Sequence, residues 1–353
     1  MADKVLMKGN EAIAEAAILA GCRHYFGYPI TPQTEIAAYM AKRMPKIGGT
    51  FLQAESEIAA INMVYGASAA GVRVMTSSSS PGISLKGEGI SYIAGSDLPA
   101  VIVNAQRGGP GLGGIQPSQS DYFQATRGGG HGDYHMIVLT PDSVQEMAEL
   151  TIKAFDLADK YRMPVMLLAD GTIGQMMEPV SFDFAIAEAP EKPWATTGTD
   201  GKREHNVVNS LYLNPAELEQ TNLKRYERYA EIEKNEPMFE EYMMDDADIA
   251  VTAFGIAARV SKNAVNAARK EGIKVGMIRP ITVWPFPKAP YEKAAEHCKS
   301  IISVELSMGQ MIEDVRLACG CRIPVSLCSR VGGMIPTPAQ VLDAIREASK
   351  GGK

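Results

Sequence analysis

What most constrains this chain is an alternation between short, continuously apolar runs and longer stretches whose apolar residues recur every three or four positions. The runs His24–Gly27, Val72–Ser78, Ala100–Gln106, Met136–Thr140 and Pro164–Ala169 are predicted strands. Between them, Asn10–Ala20, Thr34–Met44, Ser56–Ala70 and Ser143–Lys160 are predicted helices, the last capped by Asp142-Ser143. A strand apolar at every position is covered on both faces. In a β/α alternation that means a mainly parallel, doubly wound sheet. From about Ala187 the pattern stops. Residues 188–247 carry Pro190, Pro193, Pro215 and many charges, and Asn214-Pro215 opens an exposed helix over Ala216–Lys234. A second β/α pattern follows: strands Ile249–Phe254, Lys274–Ile278, Ile301–Glu305 and Pro324–Ser329, helices Ala258–Glu271, Gln310–Ala318 and Pro338–Ser349, and a turn through Pro280, Pro285 and Pro287. The expected architecture is α/β, with a doubly wound domain over 1–187, a charged linker or arm over 188–247 and a smaller α/β domain over 248–353.

Composition narrows the function. A net charge of −6 without a basic cluster argues against a nucleic-acid surface. No apolar run approaches the length that spans a bilayer, and Met1-Ala-Asp-Lys lacks a signal-peptide layout, so a cytoplasmic location is expected. Cys319, Cys321 and Cys328 are the only clustered cysteines. Three thiols with one- and six-residue gaps do not make an iron–sulfur ligand set, and they read as small buried hydrophobes flanking a strand over Pro324–Arg330.

Four segments could carry chemistry. Tyr28-Pro-Ile-Thr-Pro-Gln-Thr34 follows a strand and fixes Thr31 between two prolines, at the end of the sheet where open α/β folds bind ligands; the alternative is a plain helix start. Gln53-Ala-Glu55-Ser-Glu57 opens a very apolar helix, so Glu57 is either an ordinary first-turn acid or a buried carboxyl that shares a proton with a ligand. Thr76-Ser-Ser-Ser-Ser-Pro81-Gly82 ends another strand, as a polar turn or as an anion or heterocycle cradle. Asn104-Ala-Gln-Arg107 runs into Gly108-Gly-Pro-Gly-Leu-Gly-Gly114, and Arg127-Gly-Gly-Gly-His131-Gly-Asp-Tyr-His135 follows. Here an arginine has room to fork a carboxylate, and glycines let backbone approach or close over a ligand.

In this order the segments resemble the alpha subunit of 2-oxoacid:ferredoxin oxidoreductases. Gly27-Tyr-Pro-Ile-Thr-Pro, Glu57 ahead of Ile-Ala-Ala-Ile-Asn-Met, Thr76-Ser-Ser-Ser-Ser-Pro-Gly, Gln106-Arg107-Gly-Gly-Pro and Glu305-Leu-Ser-Met-Gly-Gln310 carry the likeness, which covers nearly the whole chain. Gly108-Gly-Pro-Gly-Leu-Gly-Gly-Ile-Gln-Pro-Ser-Gln-Ser-Asp-Tyr and Arg127-Gly-Gly-Gly-His-Gly-Asp look closest to the branched-chain, 2-oxoisovalerate type.

The resemblance implies a domain that binds the pyrimidine of thiamine diphosphate, followed by a domain like the C-terminal part of transketolase. It implies that Glu57 hydrogen-bonds the pyrimidine N1′, that Thr31 and Arg107 bind the substrate carboxylate, and that Pro29, Ile30, Ser79 and Ser80 line the cofactor site. Thiamine enzymes hold the diphosphate through Mg2+ with a Gly-Asp-Gly block and later paired asparagines. Ala169-Asp170-Gly171 is half of that block, and no asparagine pair follows. No metal site is therefore expected on this chain. Mg2+ and the diphosphate belong on a beta subunit and the iron–sulfur clusters on partner subunits; gamma and ferredoxin-like delta subunits, ferredoxin and coenzyme A are the further partners. Three rivals stand beside this reading: a nicotinamide or flavin enzyme on the same sheet, a non-catalytic thiamine-fold scaffold, and another thiamine enzyme. Within the family, the 2-oxoglutarate and pyruvate types are the alternatives.

Overall fold

The structure is a computed structural model that describes residues 4–186 and 188–351; Met1-Ala-Asp3, Ala187 and Gly352-Lys353 lie outside the described residues. The first half runs β1 (Val5–Lys8), α1 (Gly9–Leu19), β2 (His24–Gly27), α2 (Thr34–Arg43), β3 (Thr50–Gln53), α3 (Glu57–Ala69), β4 (Val74–Ser78), α4 (Ser80–Gly95), β5 (Ala100–Gln106), α5 (Tyr122–Thr126), β6 (Ile137–Leu139), α6 (Val144–Tyr161), β7 (Pro164–Asp170), α7 (Gly171–Gln175) and β8 (Met177–Val180). The second half continues with α8 (Pro215–Asn235), β9 (Phe239–Tyr242), β10 (Ile249–Thr252), α9 (Gly255–Lys270), β11 (Val275–Pro280), β12 (Thr282–Trp284), α10 (Ala289–His297), β13 (Ser300–Glu305), α11 (Met311–Ala318), β14 (Val325–Ser329) and α12 (Pro338–Ser349).

The large sheet has the order β12-β6-β7-β5-β4-β2-β3, parallel except for β12. Every residue of β5 and β7 is buried, because α1 and α6 cover one face and α3 and α4 pack together over the site end. From β2 the chain steps outward to β3 and then returns to the other side of β2 as β4. The β2/β4 boundary is thus the topological switch point, where the loops leaving neighbouring strands diverge and open a crevice. The smaller sheet has the order β14-β13-β10-β11-β9, with only β9 antiparallel.

The chain adds β1, β3, α5, α7, β8, β9 and α10 to the expected pattern, with β9, inside the expected linker, joining the smaller sheet, and three further readings change. The serine run is not only a turn: Ser79 caps α4, a sixteen-residue helix that the glycines at 82, 87, 89 and 95 conceal from a propensity reading. Helix α8 is not simply exposed; it buries Arg225, Tyr229 and Ile232, with Arg225 bound to Asp97 and to the Gly95 carbonyl. The proline-rich turn after β11 contains β12, which crosses back to pair with β6 of the large sheet. There Trp284 stacks on His135 at 4.6 Å between ring centroids.

The two sheets are clasped by buried polar groups. Asp170 Oδ1 accepts from Thr172 N at 3.0 Å and Ile173 N at 3.1 Å, capping α7, while Oδ2 accepts from Ile256 N at 2.8 Å in the first turn of α9. Gly255 has φ +56°, and a Cβ there would come within 2.7 Å of Asp170 Oδ2. Gln119 adds a second clasp, donating to the Phe254 carbonyl and accepting from Leu306 N. Glu305, at the end of β13, accepts from Ser303, Ser307 and the backbone of Gln310, Met311 and Ile312, which orders the segment leading into α11.

Candidate active site

The strand ends at the switch point bring the sequence-derived residues together. Thr31 follows β2, Glu57 opens α3 after β3, Ser79 and Ser80 follow β4, and Arg107 follows β5. Glu57 is 5% exposed whereas Glu55 is exposed, so burial singles out Glu57 of the two. Its helix is capped by Ser56, which accepts from Ala59 N, and that leaves the Glu57 carboxyl free of the capping role. The carboxyl lies against Gly82: a Cβ there would overlap Ser78 Oγ and come within 2.5 Å of Glu57 Oε1. The glycine is the space in which the carboxyl sits.

Arg107 and Thr31 do meet, but through backbone. The guanidinium donates from Nη1 to the Thr31 carbonyl at 3.0 Å and from Nη2 to the Leu112 carbonyl at 3.2 Å, while its Nε is buried without a partner. The Thr31 side chain is exposed, as are Tyr28 and Pro29; Ile30 is half-buried. Ser79 and Ser80 are tied to β5: Ser79 Oγ donates to the Ala105 carbonyl at 2.8 Å, and Ser80 Oγ accepts from Arg107 N at 3.0 Å. Their hydroxyls therefore hold the floor of the site together.

The two glycine loops separate in role. The first, after Arg107, closes on itself through Gly114 N to the Gly108 carbonyl and leaves Leu112 and Ile115 exposed at the mouth of the site. The second does not face Arg107. It lies along the later turns of α4, where Gly130 packs on Gly87 and His131 approaches Ser91, and Arg127 is held by Asp314 at 2.9 Å. Its glycines serve close packing, which replaces the expectation of a second ligand-closing loop.

Sequence reasoning missed the polar layer beneath Glu57. Lys86 of α4 is fully buried, and its Nζ donates to Thr76 Oγ1 at 2.7 Å and to the Ser77 carbonyl at 3.1 Å. Burial lowers its pKa to about 7, opposed by the charge of Glu57. Ser77 Oγ pairs with the Tyr25 hydroxyl at 2.6 Å and with Gln33 Oε1 at 2.5 Å, and Gln33 Nε2 reaches the Tyr28 carbonyl. One lysine in the apolar, glycine-rich Ile83–Gly95 stretch was the available signal. Asp121 was also missed. Asn104 donates to it at 2.9 Å, and burial raises its carboxyl above the usual range.

The residues fit the ring of thiamine diphosphate. Among the described residues, Ser78 Oγ, Asn104 Oδ1, Gln106 Nε2 and Arg107 Nε are buried at these strand ends without partners, beside a carboxyl seated on a glycine. They do not fit Mg2+. Asp170 spends both oxygens on backbone N–H groups, and no group of three or more His, Cys, Asp or Glu side chains suited to a metal occurs among the described residues. Of the three cysteines expected to be buried hydrophobes, Cys319 is buried and Cys328 half-buried, but Cys321 is exposed on the turn after α11; Cys319 and Cys321 both direct Sγ to the Arg316 carbonyl. No helix of the described residues is long and apolar enough to cross a membrane.

Comparison with known proteins agrees with this geometry. Residues 15–244 match the thiamine-diphosphate-binding family of pyruvate flavodoxin/ferredoxin oxidoreductases, and residues 247–341 match core domain II of pyruvate:ferredoxin oxidoreductase. The chain is 53% identical over 343 residues to ketoisovalerate oxidoreductase subunit VorB of Methanothermobacter marburgensis, covering 97% of each. It is 37% identical over 393 residues to 2-oxoglutarate synthase subunit KorA of Methanothermobacter thermautotrophicus, covering 99% of this chain and all of that one. The 2-oxoglutarate:ferredoxin oxidoreductase of Magnetococcus marinus, solved with 2-oxoglutarate, coenzyme A and succinyl-CoA, superposes with a TM-score of 0.87 at 31% identity, over 99% of this chain and 66% of that one. A split-gene transketolase shares the fold at a TM-score of 0.60 and 13% identity. Sequence motifs, switch-point site and relatives converge: the chain belongs to the 2-oxoacid:ferredoxin oxidoreductase family, as a subunit of a multi-subunit enzyme.

Proposed function

We propose that this chain is the subunit that grips the pyrimidine half of thiamine diphosphate in a branched-chain 2-oxoacid:ferredoxin oxidoreductase, which converts its substrate to acyl-CoA and CO2 and passes electrons to ferredoxin. The observation that carries the proposal is Glu57, a buried carboxyl free of capping duty and seated on Gly82 at the switch point. When bound, thiamine diphosphate supplies the carbon that attacks the 2-oxo group and takes up the electrons left by decarboxylation. Glu57 holds a proton at the pyrimidine N1′. Arg107, with an unpartnered Nε, and Thr31 bind the substrate carboxylate and hold it beside Glu57, while the backbone of Pro29 and Ile30 fixes the turn that carries Thr31.

The branched-chain assignment rests on the cleft beside Ser80, Gly109 and Gly111. Its walls include Leu306, Met308 and Val331 beside neutral serines and glutamines, and its one charged lining residue is Asp121. An apolar acyl chain suits such walls. The second carboxylate of 2-oxoglutarate would meet an acid and no cation. The 53% identity to a ketoisovalerate oxidoreductase subunit points the same way.

Mg2+, the diphosphate and the iron–sulfur clusters belong to partner subunits in this reading. Tyr28, Leu52, Ile58 and Leu85 are exposed apolar residues around the Glu57 site, where a beta subunit would cover them and complete the cofactor pocket. The test is ferredoxin reduction by the assembled complex with 2-oxoisovalerate, pyruvate and 2-oxoglutarate, each with coenzyme A. A preference for 2-oxoisovalerate, and a loss of about 10²–10⁴ in C2 proton exchange for Glu57→Gln, is expected. Preference for 2-oxoglutarate would overturn the substrate assignment, and unchanged exchange would overturn the role of Glu57.

A further inference from the structure

We infer that Lys86 is a positioning residue that acts through Glu57: its amine, buried beneath the first turn of α3, supplies the counter-charge against which Glu57 meets the pyrimidine ring. This rests on the proposed role of Glu57 and deepens it. Lys86 lies one helical turn after Gly82, the residue that makes room for the Glu57 carboxyl, so the two side chains converge from α4 and α3 on the end of β4. An ammonium has three N–H donors. Two go to Thr76 Oγ1 and the Ser77 carbonyl, both neutral groups, and the charge that acts on Lys86 is that of Glu57.

A peg joining α4 to β4 needs no charge. A lysine shut away from water is costly unless its ammonium is matched, and the charge of Glu57 offsets part of that cost. The remaining groups facing Lys86 are neutral. Thr76 and Ser77 come from β4, and through Ser77 come Gln33 and the Tyr25 phenol, whose pKa burial drives upward. That layer also reaches the Tyr28 carbonyl, so it joins Glu57's counter-charge to the turn bearing Thr31.

The first experiment needs no cofactor. It measures thermal midpoints of the full chain for wild type, Glu57→Gln, Lys86→Met and the double variant, just below the pH of about 7 at which the amine gives up its proton. With Lys86 present, Glu57→Gln leaves an unmatched ammonium and lowers the midpoint. In the Lys86→Met background, the same change removes a lone buried carboxylate and raises it. Equal shifts in the two backgrounds would overturn the pairing. The second experiment follows the pH profile of C2 proton exchange in the assembled complex for Lys86→Met and for Lys86→Gln, which keeps donors for Thr76 and Ser77 but has no charge. Both profiles are expected to move by about one to three pH units, the range of a lost neighbouring charge. If the Lys86→Gln profile stays at the wild-type position, Lys86 is a structural peg. If Glu57→Gln leaves exchange unchanged while the midpoints remain coupled, the proposed function fails and the pair is purely structural.

Discussion

Asp170 offers a demanding test of how the chain is held together. Replacing it by Asn keeps the volume and leaves one oxygen to cap α7 at Thr172 N and Ile173 N. The amide nitrogen then faces Ile256 N–H, so a charge-assisted hydrogen bond of 2.8 Å becomes a contact between two donors. Loss of a hydrogen bond to a charged group costs about 1.5–3 kcal/mol, and a buried unsatisfied N–H adds about 1–3 kcal/mol. Against this stands the desolvation of the carboxylate, which outweighs its three backbone partners and raises its pKa, so removing the charge recovers part of the loss. The expected net cost is about 2–4 kcal/mol. Urea unfolding of wild type and Asp170→Asn measures it directly. Because the bond crosses from β7 to α9, a broadened or split transition is expected alongside the lower midpoint. The Mg2+ dependence of cofactor binding by the assembled complex should not change, since both oxygens of Asp170 are already engaged by backbone N–H groups. A cost below about 1 kcal/mol, or a raised Mg2+ requirement, would refute the clasp.

Arg107→Lys should lower kcat/KM for every 2-oxoacid by about 1–3 kcal/mol, because a single ammonium cannot both hold the Thr31 and Leu112 carbonyls and meet the substrate carboxylate, with thiamine diphosphate affinity preserved; steady-state kinetics and calorimetry check both halves. Gly82→Ala gains about 0.5–1 kcal/mol of helix propensity but drives a Cβ into Ser78 and Glu57 at a cost of about 1–3 kcal/mol. It should be destabilised overall in denaturant and should lose cofactor affinity. Lys86 has a folded-state pKa of about 7, below that of an unfolded lysine, so the unfolded chain binds more protons between these values. Stability should therefore rise with pH across that window, by at most about 1.4 kcal/mol per pH unit, and Lys86→Met should remove the slope in pH-dependent denaturation.

Much of the site was legible because its residues end strands or begin helices. Thr31, Glu57 and Arg107 could be placed from local periodicity, and a doubly wound sheet then sends strand ends to one edge. Burial, which separates Glu57 from Glu55, followed from the three-residue rhythm of α3 only once its neighbours were known. Lys86 was hidden because its meaning comes from β4 and α3 closing around it. The second glycine loop misled, because glycine that admits a ligand and glycine that admits another backbone look the same in sequence. Helix α8 reads as solvated because Arg225 is a charged residue whose partners, Asp97 and Gly95, lie far back in the chain.

The return of β12 to the large sheet also sets an order of events during synthesis. Ile137–Leu139 leave the ribosome with one edge unpaired, and the strand that seals it is encoded only at Thr282–Trp284. At ordinary elongation rates this interval lasts on the order of ten seconds, during which the smaller sheet's first strands are also being made. An apolar strand edge left open for that time can pair with another chain, and its three-residue length limits the hazard. A gene split at the arm would leave that edge open on the first product until the second supplied Trp284 and its strand from outside. Continuous translation keeps the sealing strand tethered to the edge it must find.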